Sequence, residues 1–139
     1  MINSIAVPMQ ELETENRVIF KENQVITKSS RNPFAGWLAY TQASGTFVLT
    51  KPGIYRIHYN ANVTSQNKIA ARLAIYANGE VLEGSQTEHF VSEPTLYESL
   101  SATALVRVAP YDTLSISLVN ISEEAVELKE ASIIIDKVA

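Results

Sequence analysis

Imidazole is the commonest protein metal ligand and the usual general base near neutral pH. The chain has two histidines, His58 and His89. Neither sits in the His-X-His or His-Glu-X-X-His spacing that brings two imidazoles onto one metal. There is no cysteine, which excludes disulfides and thiolate metal sites. No Gly-X-Ser-X-Gly elbow and no phosphate-binding loop occurs. Glu80, Glu83, Glu88, Glu93 and Glu98 are hard oxygen ligands of the kind calcium takes, but they are scattered as solubilising surface glutamates are. Asn62-Val63-Thr64 and Asn120-Ile121-Ser122 match the glycosylation sequon, which short sequences also match by chance. Trp37, Tyr40, Tyr76, Tyr97 and Tyr111 are candidate stacking platforms, or packing residues. The residues therefore point to binding or structure, with no catalytic residue, cofactor or metal expected.

Composition narrows the partners. A net charge of −4 argues against nucleic acid, which needs a basic face. No apolar run approaches the length of a membrane-spanning helix, so no membrane insertion is expected. The first residues, Met1-Ile2-Asn3-Ser4-Ile5-Ala6-Val7-Pro8, lack the basic start and apolar stretch of a signal peptide. A hydrophobic share of 46% in 139 residues is enough for one packed domain.

The elements that must carry these residues read as strands. Phe47 and Leu49 alternate on one run, and Tyr55, Ile57 and Tyr59 on the next, with Lys51-Pro52-Gly53 between them. Pro52 presets φ for the first central position of a type II turn and Gly53 supplies the positive φ of the second. Further strands are expected over 18–20, 24–27, 37–41, 54–63, 70–77, 80–82, 101–108, 113–119 and 131–138. Residues 29–33 read as a loop, and 87–98 as a loop or an edge strand. Asn78-Gly79 between apolar runs marks a type I′ hairpin. Residues 1–16 read as an N-terminal arm, with a weak helical pattern over 9–16, and 17–139 as one domain. About eight to ten short strands at regular spacing make an antiparallel two-sheet sandwich or barrel.

Several of these stretches resemble the complement C1q and tumour necrosis factor superfamily. The run Gly45 to Tyr59, with its Pro52-Gly53-Ile54-Tyr55, is similar to the superfamily's central strands. Ala74-Ile75-Tyr76-Ala77-Asn78-Gly79-Glu80-Val81 looks like its Asn-Gly hairpin. Leu105 to Leu114 resembles its apolar, Gly-Asp, apolar motif, with Tyr111 where the glycine stands. Ala131-Ser132-Ile133-Ile134-Ile135-Asp136-Lys137-Val138-Ala139 resembles the last strand of bacterial members. The nearest likeness, over about Val18 to Ala139, is to the C-terminal heads of BclA-type collagen-like spore-surface glycoproteins. It is a likeness to the head alone, since the chain has five glycines and no Gly-X-Y repeat.

The resemblance implies an all-β, C1q/TNF-like jelly roll that assembles as a homotrimer. It implies that Tyr55, Ile57, Tyr59, Ala61 and Val63 face the core while Arg56, His58, Asn60 and Asn62 face a neighbouring subunit. The same parity puts Val106 and Val108 inside, and Thr103, Leu105 and Arg107 toward the partner. Ile134 and Asp136 share that side if the parity of the three isoleucines allows it. Arg56 and Arg107 are then candidate inter-subunit partners of Asp136, and three copies of His58 could meet on the threefold axis. The implied role is non-enzymatic recognition, display or assembly on a bacterial spore, cell or phage surface. The alternative is a carbohydrate- or receptor-binding module of a phage or secreted bacterial protein, recognising a surface glycan or protein. A cupin-like enzyme, the third reading, would need clustered histidines that are missing.

Overall fold

The computed structural model describes residues 10–20, 25–27, 38–40 and 45–139. Among these residues eleven strands follow in order: β1 (Gln10–Leu12), β2 (Val25–Thr27), β3 (Leu38–Tyr40), β4 (Phe47–Leu49), β5 (Gly53–Thr64), β6 (Ala70–Ala77), β7 (Glu80–Val81), β8 (Thr87–Phe90), β9 (Glu98–Val108), β10 (Leu114–Asn120) and β11 (Val126–Lys137). No helix occurs among the described residues.

Two sheets form a jelly-roll sandwich. The first runs β1–β11–β5–β9, with β2 pairing with the later part of β11, and the second runs β3–β4–β10–β6–β7, with β8 also on β6. All pairings are antiparallel except β2 with β11. Strict alternation along β5 buries Tyr55, Ile57, Tyr59, Ala61 and Val63. The same period on β11 buries Ile133 and Ile135 and turns Ile134 outward, which settles the parity of the isoleucine run. Phe47, Leu49, Leu73, Ile75, Ile116 and Leu118 close the core from the second sheet. Each such side chain contributes roughly 1.5–3 kcal/mol by leaving water.

The Tyr59 hydroxyl bridges the layers. It donates to the Ser85 carbonyl at 2.7 Å and lies 2.7 Å from Thr87 Oγ1. Burial pushes its pKa up to about 12, with the Thr87 hydrogen bond acting the other way.

Several expectations need correction. Residues 18–20 make no strand: Arg17 bridges Val119 once, and Val18 donates its N–H to the Leu118 carbonyl. β10 pairs residues 114–116 with β4, so only its far end is left for this segment. Val18 and Phe20 are buried all the same, and that burial is the source of their β-like alternation. Residues 10–16 are a strand and a turn with no helix, and Leu12 is buried. β11 begins at Val126, earlier than expected, because Glu127, Lys129 and Glu130 interrupt the apolar pattern and the register shifts between Leu128 and Glu130. The loop expected over 29–33 lies outside the described residues.

Two turns are also informative. Pro52-Gly53 forms a bend in which Gly53 has φ of 151°, well beyond the type II value. A Cβ on Gly53 would lie 2.5 Å from the Ala139 carbonyl oxygen, so close chain approach requires the glycine. Tyr111 takes φ of 68°, the left-handed conformation that glycine adopts without strain. Asn78 and Gly79, at φ of 50° and 84°, have the signs of the expected type I′ hairpin.

Candidate functional site

The sandwich presents two outer faces. The first belongs to β11, β5 and β9. Cross-strand register sets Arg56 between Asp136 and Leu105, His58 between Ile134 and Thr103, and Asn60 between Ser132 and Ser101. Arg107 lies opposite Ile54 at the end of the same face. All eight residues singled out in the sequence thus share one surface: Arg56, His58, Asn60, Thr103, Leu105, Arg107, Ile134 and Asp136.

Most polar groups on this face find partners within the chain. Arg56 donates to Asp136 in a cross-strand ion pair, with side-chain exposures of 51% and 15%. The resemblance offered these two residues as candidate partners between subunits; within the chain they already pair, which follows directly from their opposing register positions. His58 Nδ1 lies 2.7 Å from Thr103 Oγ1. Ser99 donates to Asn60 Oδ1 at 2.6 Å, and Asn62 to Glu130 at 3.3 Å. Arg107 forms no ion pair among the described residues. Leu105, 62% exposed, and Ile54, 38% exposed, leave apolar surface among these polar rows.

The second outer face belongs to β4, β10 and β6 and holds a cleft of about 430 Å³. Ser115, Ser117 and Val119 of β10 line it along their outward parity. Tyr76 and Gly79 line it from the β6 side, and Thr46, Arg17 and Glu15 from elsewhere. Arg17 Nη1 donates to Thr46 Oγ1 at 2.6 Å, and Tyr76 donates its hydroxyl to Glu15 Oε1 at 2.8 Å. Glu15 has φ of 68°, and its N–H donates to the Asn120 carbonyl at 2.7 Å. Burial, then the hydrogen bond and charge of Glu15, push the Tyr76 pKa up. The Ser115 and Ser117 side chains make no hydrogen bond among the described residues.

The sequence marked Tyr76 as a candidate stacking or packing residue but did not gather this cleft. Its lining comes from four separated stretches of chain, and only the alternating serines of β10 gave a local signal. The other motifs resolve plainly. His58 and His89 lie on different sheets. Among the described residues no group of three or more acidic, histidine or cysteine side chains could hold a metal. Glu88 pairs with Arg72. Asn120 is buried and donates its side-chain amide to the Leu12 and Glu124 carbonyls, so that sequon is closed in the folded domain.

The fold is that of a C1q/TNF-like jelly roll. The crystal structure of murine APRIL at pH 5.0 is similar at a TM-score of 0.53 and 12% identity, covering 89% of this chain and 95% of that one. The chain belongs to the BclA C-terminal domain family, whose model matches residues 17–139. Weaker likenesses include the EclA C-terminal domain, a sugar-binding protein, at a TM-score of 0.38 and 13% identity, covering 75% of this chain and 88% of that one. The CBM35 from Cellvibrio japonicus Abf62 has a TM-score of 0.39 and 12% identity, covering 95% of this chain and 99% of that one. A search of the curated proteins finds no match.

Proposed function

We propose that this domain is a non-enzymatic, homotrimeric head for recognition, display or assembly on a bacterial spore, cell or phage surface. Family membership supports the head role. The observation that carries assembly is the β11–β5–β9 face. Its polar groups are largely answered within the chain, while Leu105 and Ile54 stay in water. Such a surface loses little on desolvation and gains from covering apolar area, which suits a second and third copy of itself. A glycan- or receptor-binding module is the second reading, favoured by the open hydroxyls of the opposite face.

Light scattering of the purified chain tests assembly, with an expected mass near three times 15.3 kDa. Leu105→Glu and Arg56→Glu are expected to give monomers or aggregates with unchanged far-UV circular dichroism. A wild-type monomer at micromolar concentration would overturn the assembly reading.

A further inference from the structure

We propose that the cleft over β10 and β6 binds one residue of a neutral saccharide. The proposal deepens the reading of this chain as a recognition head, and it places recognition on the face opposite the proposed assembly surface. The cleft's 430 Å³ falls within the roughly 300–1,000 Å³ of small-molecule sites.

Its chemistry is specific. The bottom carries two hydroxyls, Ser115 and Ser117, with no hydrogen-bond partner among the described residues. A half-buried hydroxyl without a protein partner accepts a ligand hydroxyl at no cost in broken protein contacts. Of the two charged lining residues, Arg17 is a donor only and Glu15 an acceptor only. Adjacent hydroxyls of a sugar ring can donate to the carboxylate and accept from the guanidinium together. Each charged group already has one neutral partner, Thr46 for Arg17 and Tyr76 for Glu15, so both are oriented before a ligand arrives. Their charges cancel within the cleft. A cleft with no net charge offers a charged sugar no net attraction to offset the hydration it loses on entry, whereas a neutral sugar loses less. Tyr76 supplies aromatic surface for the apolar face of a pyranose. Gly79 adds no bulk at the hairpin end, since a Cβ there would meet nothing within 4 Å.

The test is amide-resolved NMR titration of the whole chain. The probes are neutral methyl hexopyranosides of gluco, manno and galacto configuration, with glucuronate, glucosamine and alanine alongside. At least one neutral glycoside is expected to shift the amides of Tyr76, Gly79, Ser115 and Ser117, with Kd on the order of millimolar. Glucuronate and glucosamine should bind more weakly, and the zwitterion alanine should leave these amides unmoved. Arg17→Ala and Ser117→Leu should each weaken the neutral ligand about tenfold or more without changing the mass by light scattering. Absence of shifts with every neutral glycoside, shifts confined to the other face, or tighter binding of a charged sugar or alanine would overturn the proposal. The wild-type titration decides even if a variant fails to fold. A trimer that binds no neutral sugar here refutes the cleft alone. A monomer that binds one refutes the assembly reading alone.

Discussion

On the β11–β5–β9 face, polar side chains answer one another along the rows: Asp136 with Arg56, His58 with Thr103, Ser99 with Asn60, Glu130 with Asn62. On the β10–β6 face, the Ser115 and Ser117 hydroxyls answer nothing among the described residues, and Arg17 and Glu15 share the cleft with them. Both faces come from the same period-2 alternation. They differ in who satisfies the outward groups. A face that satisfies itself and still shows Leu105 and Ile54 favours a flat, partly apolar partner. A concave face with waiting hydroxyls favours a small polyhydroxyl ligand.

One core holds both faces, and breaking it should give the largest effect. Ile57 is fully buried on β5, between Arg56 and His58 of the first face. Ile57→Ala should cost roughly 2–5 kcal/mol, measured by denaturant unfolding. Both the mass and any cleft binding should then fail at the same denaturant concentration. If one survived the other, the two faces would belong to separate cooperative units.

Tyr59 is the second lever, because its hydroxyl runs from β5 to the Ser85 carbonyl and Thr87 of the opposite sheet. Tyr59→Phe keeps the ring and leaves buried acceptors without their donor, for a loss of about 1–3 kcal/mol. The hydroxyl also sets a pH window. The folded protein holds the proton to about 12, whereas an unfolded tyrosine releases it near 10. Stability should therefore be full below pH 10 and fall as pH rises between 10 and 12. Tyr59→Phe should make that fall shallower. Some of it should remain, since Tyr55, Tyr76 and Tyr97 are also shifted upward by burial. A wild-type stability unchanged from pH 10 to 12 would show that Tyr59 is solvated more than its burial indicates.

The two faces also differed in how far the sequence disclosed them. β5 was legible because Tyr55, Ile57 and Tyr59 alternate without interruption and one parity assignment orients every neighbour. Once β5 is oriented, antiparallel register carries Thr103, Leu105 and Arg107 along with it. The isoleucine run of β11 was unreadable alone, since three apolar residues fit either parity, and only pairing with β5 separates Ile134 from its neighbours. The cleft was not legible because it depends on Glu15 and Arg17, far in sequence from Ser115 and Tyr76. Their position comes from the backbone pairing of residues 15–18 with residues 118–120. No local period encodes such pairing. Arg56 and Asp136 mark a different limit: the resemblance offered them as candidate partners between subunits, and only the cross-strand register shows that they meet within one chain.

That pair gives a smaller test. With its arginine half exposed and screened by solvent, the pair should contribute about 0–1 kcal/mol to one subunit. A double-mutant cycle on Arg56→Ala and Asp136→Ala, read by denaturant unfolding under dissociating conditions, should return a coupling in that range. A larger coupling in the isolated subunit would mean that the face is already shielded by its own chain, which weakens the case for a partner there.

The smallest expected effect lies where the chain passes from one face to the other. Tyr111 sits in the turn between β9, which belongs to the first face, and β10, which belongs to the second. Its φ of 68° is one a β-carbon disfavours, and its side chain is fully exposed, so no packing within the subunit compensates the strain. Tyr111→Gly removes the strain but loosens the unfolded chain, and these terms oppose each other. The net result should be a rise in Tm of at most about a few degrees. Because the turn joins the two sheets without contributing to either cleft or ladder, neither assembly nor sugar binding should change with it. A Tm that falls would show that the tyrosine makes a stabilising contact after all, and the assembled protein is where that contact would then have to be sought. A Tm that rises while assembly or binding weakens would mean that the strained, exposed ring is kept for recognition, and one of the two faces would have to be redrawn to include it.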